Sequence, residues 1–412
     1  MMALDIDPGM LWNERAACFF LEPNFRQGVY LLENLEDMVF LLFLTVLFLI
    51  EFYAFQGFRL VTGSFSGDIL KLSLNWSYWL ITSALLLFVV YGMFTYRKTH
   101  VFPVVSKWSI NLFISIFVTK LIFIVFLLSE DLYRLVFGLG NRVFSDVGDS
   151  FIPERRLFMS QMGLAVASVP FISFLYGITK GKYNFKVHQL ELFFDDLPAS
   201  FDRFRIAQFS DFHSGSFDDV YEVKKGLEML QDQNCDAIVF TGDLVNNTAD
   251  EFEPYQDMFR QLSAPQGKYS ILGNHDYGDY IAWDSADLKR QNLDKLCQMQ
   301  KDAGFELLRD RNVRIEKDGE SIYVCGVENW GIGFGKRGNL KKALENIPSG
   351  AFKFLLSHDP THWENEVKNY PEQVGLCLSG HTHGAQMGVE IPGIKFSPVQ
   401  FRYPHWAGLK EE

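Results

Sequence analysis

The chain has 412 residues, 48% hydrophobic and 21% charged, with 40 Phe and a formal net charge of −12. So apolar a chain is neither disordered nor fibrous, and its length suits two or three domains. Residues 1–190 carry 15 basic and 14 acidic side chains (+1) and residues 191–412 carry 23 and 36 (−13), which together give −12, so a basic nucleic-acid surface is disfavoured and no nucleic-acid partner is expected.

In chain order, residues 1–37 read as a polar tail, acidic toward its end (Glu33, Glu36, Asp37), and Met38 is a candidate true start because it opens the first apolar run directly. Residues 38–178 read as a transmembrane domain. Four runs, Met38–Phe58, Trp76–Phe94, Trp108–Leu128 and Leu157–Tyr176, are Leu-, Ile-, Val- and Phe-rich and reach the length of about 20 residues that a hydrocarbon core demands. Trp or Tyr near several ends suits interfacial anchoring, so the bilayer is an expected partner. Glu51 and Lys120 lie inside the first and third runs. Glu51 is 13 residues past Met38 and Lys120 is 13 past Lys107, in helices expected to run parallel, so similar depth allows an ion pair between them, against each snorkelling or lining a wet crevice.

Flanking Lys and Arg divide six against six between the two sides, so the positive-inside rule does not orient the bundle. One local run does lean. Glu154-Arg155-Arg156-Leu157-Phe158-Met159 resembles a twin-arginine export signal, which predicts a C-terminal half outside the cytoplasm. Cys18, Cys235, Cys297, Cys325 and Cys377 form no C-x-x-C pair, so neither a disulfide framework nor a zinc ribbon is expected.

From Tyr183 the pattern changes to short strands alternating with helices, an α/β domain over 183–412. Strands are predicted at Lys186–Phe194, Phe204–Asp211, Ala237–Asp243, Tyr269–Gly273, Asn312–Glu316, Ser321–Val327, Phe352–Ser357 and Val374–Ser379. Helices are predicted at Asp218–Gln233, Glu251–Leu262, Asp284–Ala303, Leu340–Asn346 and Thr361–Lys368. Five apolar runs end in metal-type side chains: Asp211 and His213 in Ser-Asp-Phe-His; Asp243 in Thr-Gly-Asp; Asn274, His275 and Asp276 in Gly-Asn-His-Asp; His358 after Phe-Leu-Leu-Ser; His381 and His383 in Gly-His-Thr-His-Gly. Strand ends on one sheet edge are neighbours in space, and Asp-x-His or His-x-His puts two side chains on one side of extended chain. Carboxylate, imidazole and amide oxygen suit Mn, Fe or Zn. One such motif alone is an ordinary polar loop; five in this order are not chance.

Together these motifs resemble the calcineurin-like metallophosphoesterase family over about Phe204 to Gly388, and its membrane-anchored bacterial branch, which includes enzymes cleaving UDP-diacylglucosamine. The resemblance implies an αββα two-sheet sandwich behind the four-helix transmembrane domain, with two metal ions as cofactors. It implies Asp211, His213 and His383 on one metal, Asp243 bridging, Asn274, His358 and His381 on the other, and His275 as a catalytic residue oriented by Asp276. The implied reaction is in-line attack of a metal-bridging hydroxide on a phosphomonoester or phosphodiester, and a site beside a membrane domain suggests a lipid-linked phosphoester as substrate. Asp359 is expected to orient His358. His362 and His405 lie outside the motifs and read as surface or supporting residues; Tyr277, Asn247, Trp330 and Trp406 are weaker substrate-contact candidates. The alternative is a non-catalytic membrane sensor or scaffold, which usually lacks a ligand; none is missing here. Family members usually continue further past Gly-His-Thr-His, so one edge of the sandwich is expected to be missing. Nothing in the sequence points to an oligomeric state.

Overall fold

Four runs of helix-forming apolar residues each form one long helix in the computed structural model, which describes residues 23–99, 103–144, 153–383, 388–391 and 393–411. They are α1 (Pro23–Gly63), α2 (Asp68–Thr99), α3 (Val104–Phe144) and α4 (Pro153–Thr179). Each contains a stretch long and apolar enough to cross a membrane: Leu41–Gly63, Asp68–Tyr96, Val104–Gly140 and Glu154–Thr179. Residues 1–22 of the expected tail lie outside the described residues. Residues 23–37 are not a separate tail but the first turns of α1, where Leu31, Leu32 and Leu35 continue a helix-competent sequence.

Most large apolar side chains of these helices are exposed in the bare protein, as lipid-facing residues must be. The helices meet at small residues: a Cβ at Gly57 would lie 2.6 Å from Leu127, and one at Gly163 would lie 2.7 Å from Phe126. Glu51 and Lys120 are both buried and pair at 2.5 Å, so of the two readings their spacing allowed the ion pair is the one found. The Lys120 ammonium also donates to Thr82 Oγ1 (3.0 Å), and the Tyr78 hydroxyl lies 3.1 Å from Glu51 Oε2. Removing one partner strands the other charge in the bundle. Glu51→Leu or Lys120→Leu is therefore expected to cost roughly 3–5 kcal/mol, and the double replacement much less. Thermal unfolding of the full chain in detergent checks this; additive losses would contradict it.

The chain divides into two compact units, Met1–Lys182 and Tyr183–Glu412. The second is built on two four-stranded sheets. In the first, β1 (Ile206–Phe209), β2 (Ala237–Phe240), β3 (Lys268–Ser270) and β4 (Glu306–Leu307) lie in that order, all parallel. In the second, β5 (Arg311–Lys317) is antiparallel to β6 (Glu320–Gly326), and β7 (Lys353–Leu356) and β8 (Leu376–Leu378) follow in parallel. β2 (Ala-Ile-Val-Phe) and β7 (Lys-Phe-Leu-Leu) are buried along their whole length because both faces of their sheets are covered. Ala237, Val239 and Ile271 of one sheet meet Ile322, Val324, Phe354 and Leu356 of the other in a shared core. Ile238 and Phe240 face outward onto α5 (Val220–Gln231), α6 (Gln256–Gln261) and α7 (Ala286–Asp302), through Val223, Leu227, Phe259 and Leu296. Cys325 and Leu355 do the same on the far side, against Leu340 and Ala343 of α8 (Leu340–Ala343). The result is the expected αββα layering.

The structure corrects one predicted strand and adds others. Lys186–Phe194 is extended but pairs with no sheet, because it runs along α5: Phe185 sits where a Gly226 side chain would go, and Gln189 bonds Gln233 at 3.3 Å. The predicted Glu251–Leu262 helix is a 3-10 turn (Ala249–Phe252) followed by α6, with Pro254 between them. Beyond the expected strands, β4 completes the first sheet and the hairpin β9 (Val389–Ile391) and β10 (Ile394–Phe396) follows Gly388. The hairpin is followed by a 3-10 turn (Pro398–Phe401), beyond which Tyr403 and Trp406 reach the Gly-His-Thr-His loop.

Candidate metal centre

Parallel strands deliver their C-terminal ends to one edge of each sheet, and face-to-face packing brings the two edges together. Asp211 and His213 follow β1, Asp243 follows β2, Asn274 follows β3, His358 follows β7, and His381 and His383 follow β8. Their donor atoms form two groups, each within 4.8 Å: Asp211, His213, Asp243 and His383, and Asp243, His358 and His381. Asp243 belongs to both and is 1% exposed. Asp211, His213, Asp243, His381 and His383 all have left-handed backbone, with φ between 45° and 69°. Loops this sharp need room, and Gly242 supplies it: at φ 97° a Cβ there would lie 2.5 Å from Gly273 N and 2.8 Å from His358 Nδ1.

Hydrogen bonds on the far ring nitrogens aim the imidazoles. His358 Nδ1 donates to the Thr241 carbonyl (2.7 Å), which turns Nε2 toward Asp243 Oδ2 at 3.1 Å. His213 Nδ1 donates to Asn246 Oδ1 (3.0 Å), and its Nε2 lies 3.2 Å from His383 Nε2. His381 Nε2 faces the Tyr403 hydroxyl (2.9 Å) and Asp359 Oδ2 (3.4 Å), leaving Nδ1 as its donor atom. Asn274 Nδ2 donates to the Tyr280 hydroxyl (2.7 Å), and Asn274 Oδ1 is buried without a hydrogen-bond partner among the described residues.

This donor set fits divalent cations. Two imidazole nitrogens face each other at hydrogen-bond distance, a buried amide oxygen has no donor among the described residues, and the buried Asp243 carboxylate belongs to both donor groups; a cation would satisfy all three. Without one, the charges pair among themselves. Burial alone would raise the Asp243 carboxyl, but the imidazoles of His358, His275 and His213 hold it well below the ordinary carboxylate range. Burial disfavours a charged His358, yet the Asp243 carboxylate outweighs it and pushes the imidazole up to about 10. Burial, with neighbouring imidazoles, brings His213 and His381 down to about 4.

Two orienting roles differ from expectation. Asp276 does not hold the His275 ring. Its fully buried carboxylate accepts from the backbone N–H of Asp243 (3.0 Å), Leu244 (2.7 Å), Val245 (3.2 Å) and Gly273 (2.9 Å), so it binds the β2 and β3 turns to each other. Burial, then the Asp243 charge, pushes Asp276 up to about 7. His275 is oriented instead by Nδ1 donating to the Asn246 carbonyl (2.8 Å), between the rings of His213 and Tyr280. Asp359 faces His381 rather than His358, because Thr241 already occupies His358 Nδ1.

Other candidates fall outside both groups. His362 is buried against Trp330 and Ser357 Oγ (2.8 Å), and burial brings it down to about 4; His405 pairs with Glu364. The Tyr277 hydroxyl accepts from Asn329 N, and the Trp406 carbonyl accepts from Thr382. Asn246, Tyr280, Phe334 and Tyr403 border the site and were not anticipated. Asn246 closes the Thr-Gly-Asp-Leu-Val-Asn run that carries Asp243 and Tyr280 lies four residues past Asp276, so proximity alone could have flagged them; Tyr403 lies 20 residues past His383.

Two family models match the chain. The one described as calcineurin-like phosphoesterase matches residues 204–385, and the one described as probable calcineurin-like phosphoesterase, transmembrane domain, matches residues 37–182. The chain belongs to the calcineurin-like phosphoesterases. Among curated relatives, this phosphoesterase is 30% identical to the metallophosphoesterase YkuE of Bacillus subtilis, over 49% of its own length and 66% of the relative's. It is 24% identical to a transmembrane protein with metallophosphoesterase domain of Danio rerio, over 62% and 58% of the two chains. It is 26% identical to the UDP-2,3-diacylglucosamine pyrophosphatase LpxG of Chlamydia muridarum, over 47% and 67%. The chain thus spans little more than half of the fish protein and about two thirds of the two bacterial ones.

Proposed function

We propose that this membrane phosphoesterase hydrolyses a phosphomonoester or phosphodiester with two divalent cations. The observation that carries the reading is the pair of donor groups sharing buried Asp243 at the strand ends. Asp211, His213 and His383 would hold one cation, Asn274, His358 and His381 the other, with Asp243 between them. When bound, the cations would supply Lewis acidity, withdrawing charge from phosphate oxygens and acidifying water toward neutral pH. His275, with Nδ1 tied to the Asn246 carbonyl, keeps Nε2 to donate a proton or hydrogen bond to a departing oxygen. Asp276 fixes the turns from which Asp243 and His275 project, and Thr241, Asn246, Tyr403 and Asp359 hold the ligand rings in their tautomers.

The substrate in this reading is a lipid-linked phosphoester. Four spans in the same chain and the printed activity of the LpxG relative support that class. Mn, Fe and Zn all match the donors. A position of the catalytic unit outside the cytoplasm rests on the Arg155-Arg156 pair, although these side chains also serve packing, over the Tyr133 ring and 3.7 Å from Asp131. The test is hydrolysis of p-nitrophenyl phosphate and bis-p-nitrophenyl phosphate by the purified full chain supplied with Mn, Fe or Zn. Metal-dependent turnover of either is expected, and no turnover with any of them would reject the proposal.

A further inference from the structure

The chain leaves its last span at Thr179 and enters the catalytic unit at Tyr183. Three residues, Lys180, Gly181 and Lys182, separate them, a reach of at most about 15 Å. The tether is short, and the residue at its end shows which part of the catalytic unit it joins.

That residue is Tyr183. Its hydroxyl donates to Asp218 Oδ1 (2.5 Å) and accepts from the backbone N–H of Asp218 (3.0 Å) and Asp219 (2.9 Å). Its ring packs on Phe217. Asp219 is the N-cap of α5, the helix that follows β1, so Tyr183 is pinned to the edge where the strands end and the metal-type residues gather. From there the chain runs down α5, past Gly226 and Gln233, and reaches the opposite edge at Phe194, which packs on Phe352 just before β7.

A second observation falls on the same edge. The loop after β6, the end of β10 and the turn after it expose Ile332 (44%), Phe396 (43%) and Phe401 (80%) to solvent. Arg402 joins the turn to that loop, donating to the Ile332 carbonyl at 3.0 Å and lying over Phe334, whose ring in turn meets His381. Exposed Phe and Ile beside Arg402 and Lys395 is the composition of an interfacial membrane contact, with apolar groups for the acyl boundary and cations for anionic headgroups.

We propose that the catalytic edge of this unit docks on the bilayer surface, with Ile332, Phe396 and Phe401 entering the lipid and Arg402 among the headgroups, so that the site opens toward the membrane. Substrate would then be taken from the lipid phase rather than from bulk water. This deepens the phosphoesterase reading, but its test does not depend on it. The opposite edge is the built-in rival, since it also exposes apolar side chains: Leu190 (66%) and Phe193 (85%).

Full-length Phe401→Trp and Phe193→Trp are reconstituted separately in phosphatidylcholine–phosphatidylglycerol nanodiscs, with and without acyl chains brominated near the headgroup. The emission added over the parent chain is compared between the two. Phe401→Trp is expected to lose most of its added emission to the brominated lipid, and Phe193→Trp to keep most of its own. Any result in which Phe401→Trp is not the more strongly quenched overturns the proposal, including quenching of neither. Ile332→Trp serves the same comparison should Phe401→Trp have a lowered unfolding temperature.

Discussion

Asp243→Asn is expected to abolish phosphoester hydrolysis and to leave the purified protein depleted of metal. Asp243 is the one side chain in both donor groups, so its loss weakens both cation sites at once. The replacement keeps an acceptor for the His275 N–H, which now donates to Asp243 Oδ1 at 2.8 Å, so the turn survives. What disappears is the charge. The His358 imidazole, 3.1 Å away, loses the carboxylate that keeps it protonated and becomes a neutral buried ring. The loss in kcat/KM should exceed the roughly 10–100-fold typical of residues that only support a ligand. Metal analysis alongside kinetics separates the outcomes: retained metal with full activity rejects the shared-ligand role.

The second large effect concerns protons. Without a cation, the Asp243 carboxylate keeps His358 protonated up to about pH 10, so at neutral pH a metal must displace that proton before Nε2 can bind it. Loading should therefore release acid, and affinity should rise with pH by up to roughly tenfold per unit for each proton released. The sign is fixed: acid weakens loading. Below the neutral range the competition sharpens as pH approaches about 4, where His213 and His381 also take up protons. Calorimetric titration with Mn at pH 7, in two buffers of different ionisation enthalpy, reads this directly. Different apparent heats are expected, and equal heats would contradict it.

The site was legible in the sequence because its chemistry is local. Each ligand follows an apolar strand directly, and residues such as Asp211, His213, Asp243 and His358 announce themselves by type and spacing. The Glu51–Lys120 pair was legible only as one of two readings, since two charges at similar depth can also snorkel separately to the interface. What escaped was the pairing between loops. Asp276 follows His275 and reads as its companion, yet its oxygens are taken by four backbone donors from two turns, a match that only the folded β2–β3 edge creates. Asp359 was misassigned in the same way. Lys186–Phe194 alternates like a strand, but alternation does not say whether a sheet edge or a helix lies alongside. Tyr403 reaches His381 through a hairpin whose strands are three residues each, too short to stand out from their surroundings.

The left-handed backbone at Asp211, His213, Asp243, His381 and His383 has an evolutionary consequence. A side chain other than Gly at such a position costs roughly 1–2 kcal/mol, so five of them weigh against a stability of only about 5–15 kcal/mol for a domain. A copy of this domain released from catalysis would relieve that strain by exchange for glycine most readily at His213, His381 and His383, since Asp211 and Asp243 also accept the backbone N–H of His381 and His275. Glycine at those three places is thus the mark by which a decayed, purely structural descendant could be told from a working enzyme.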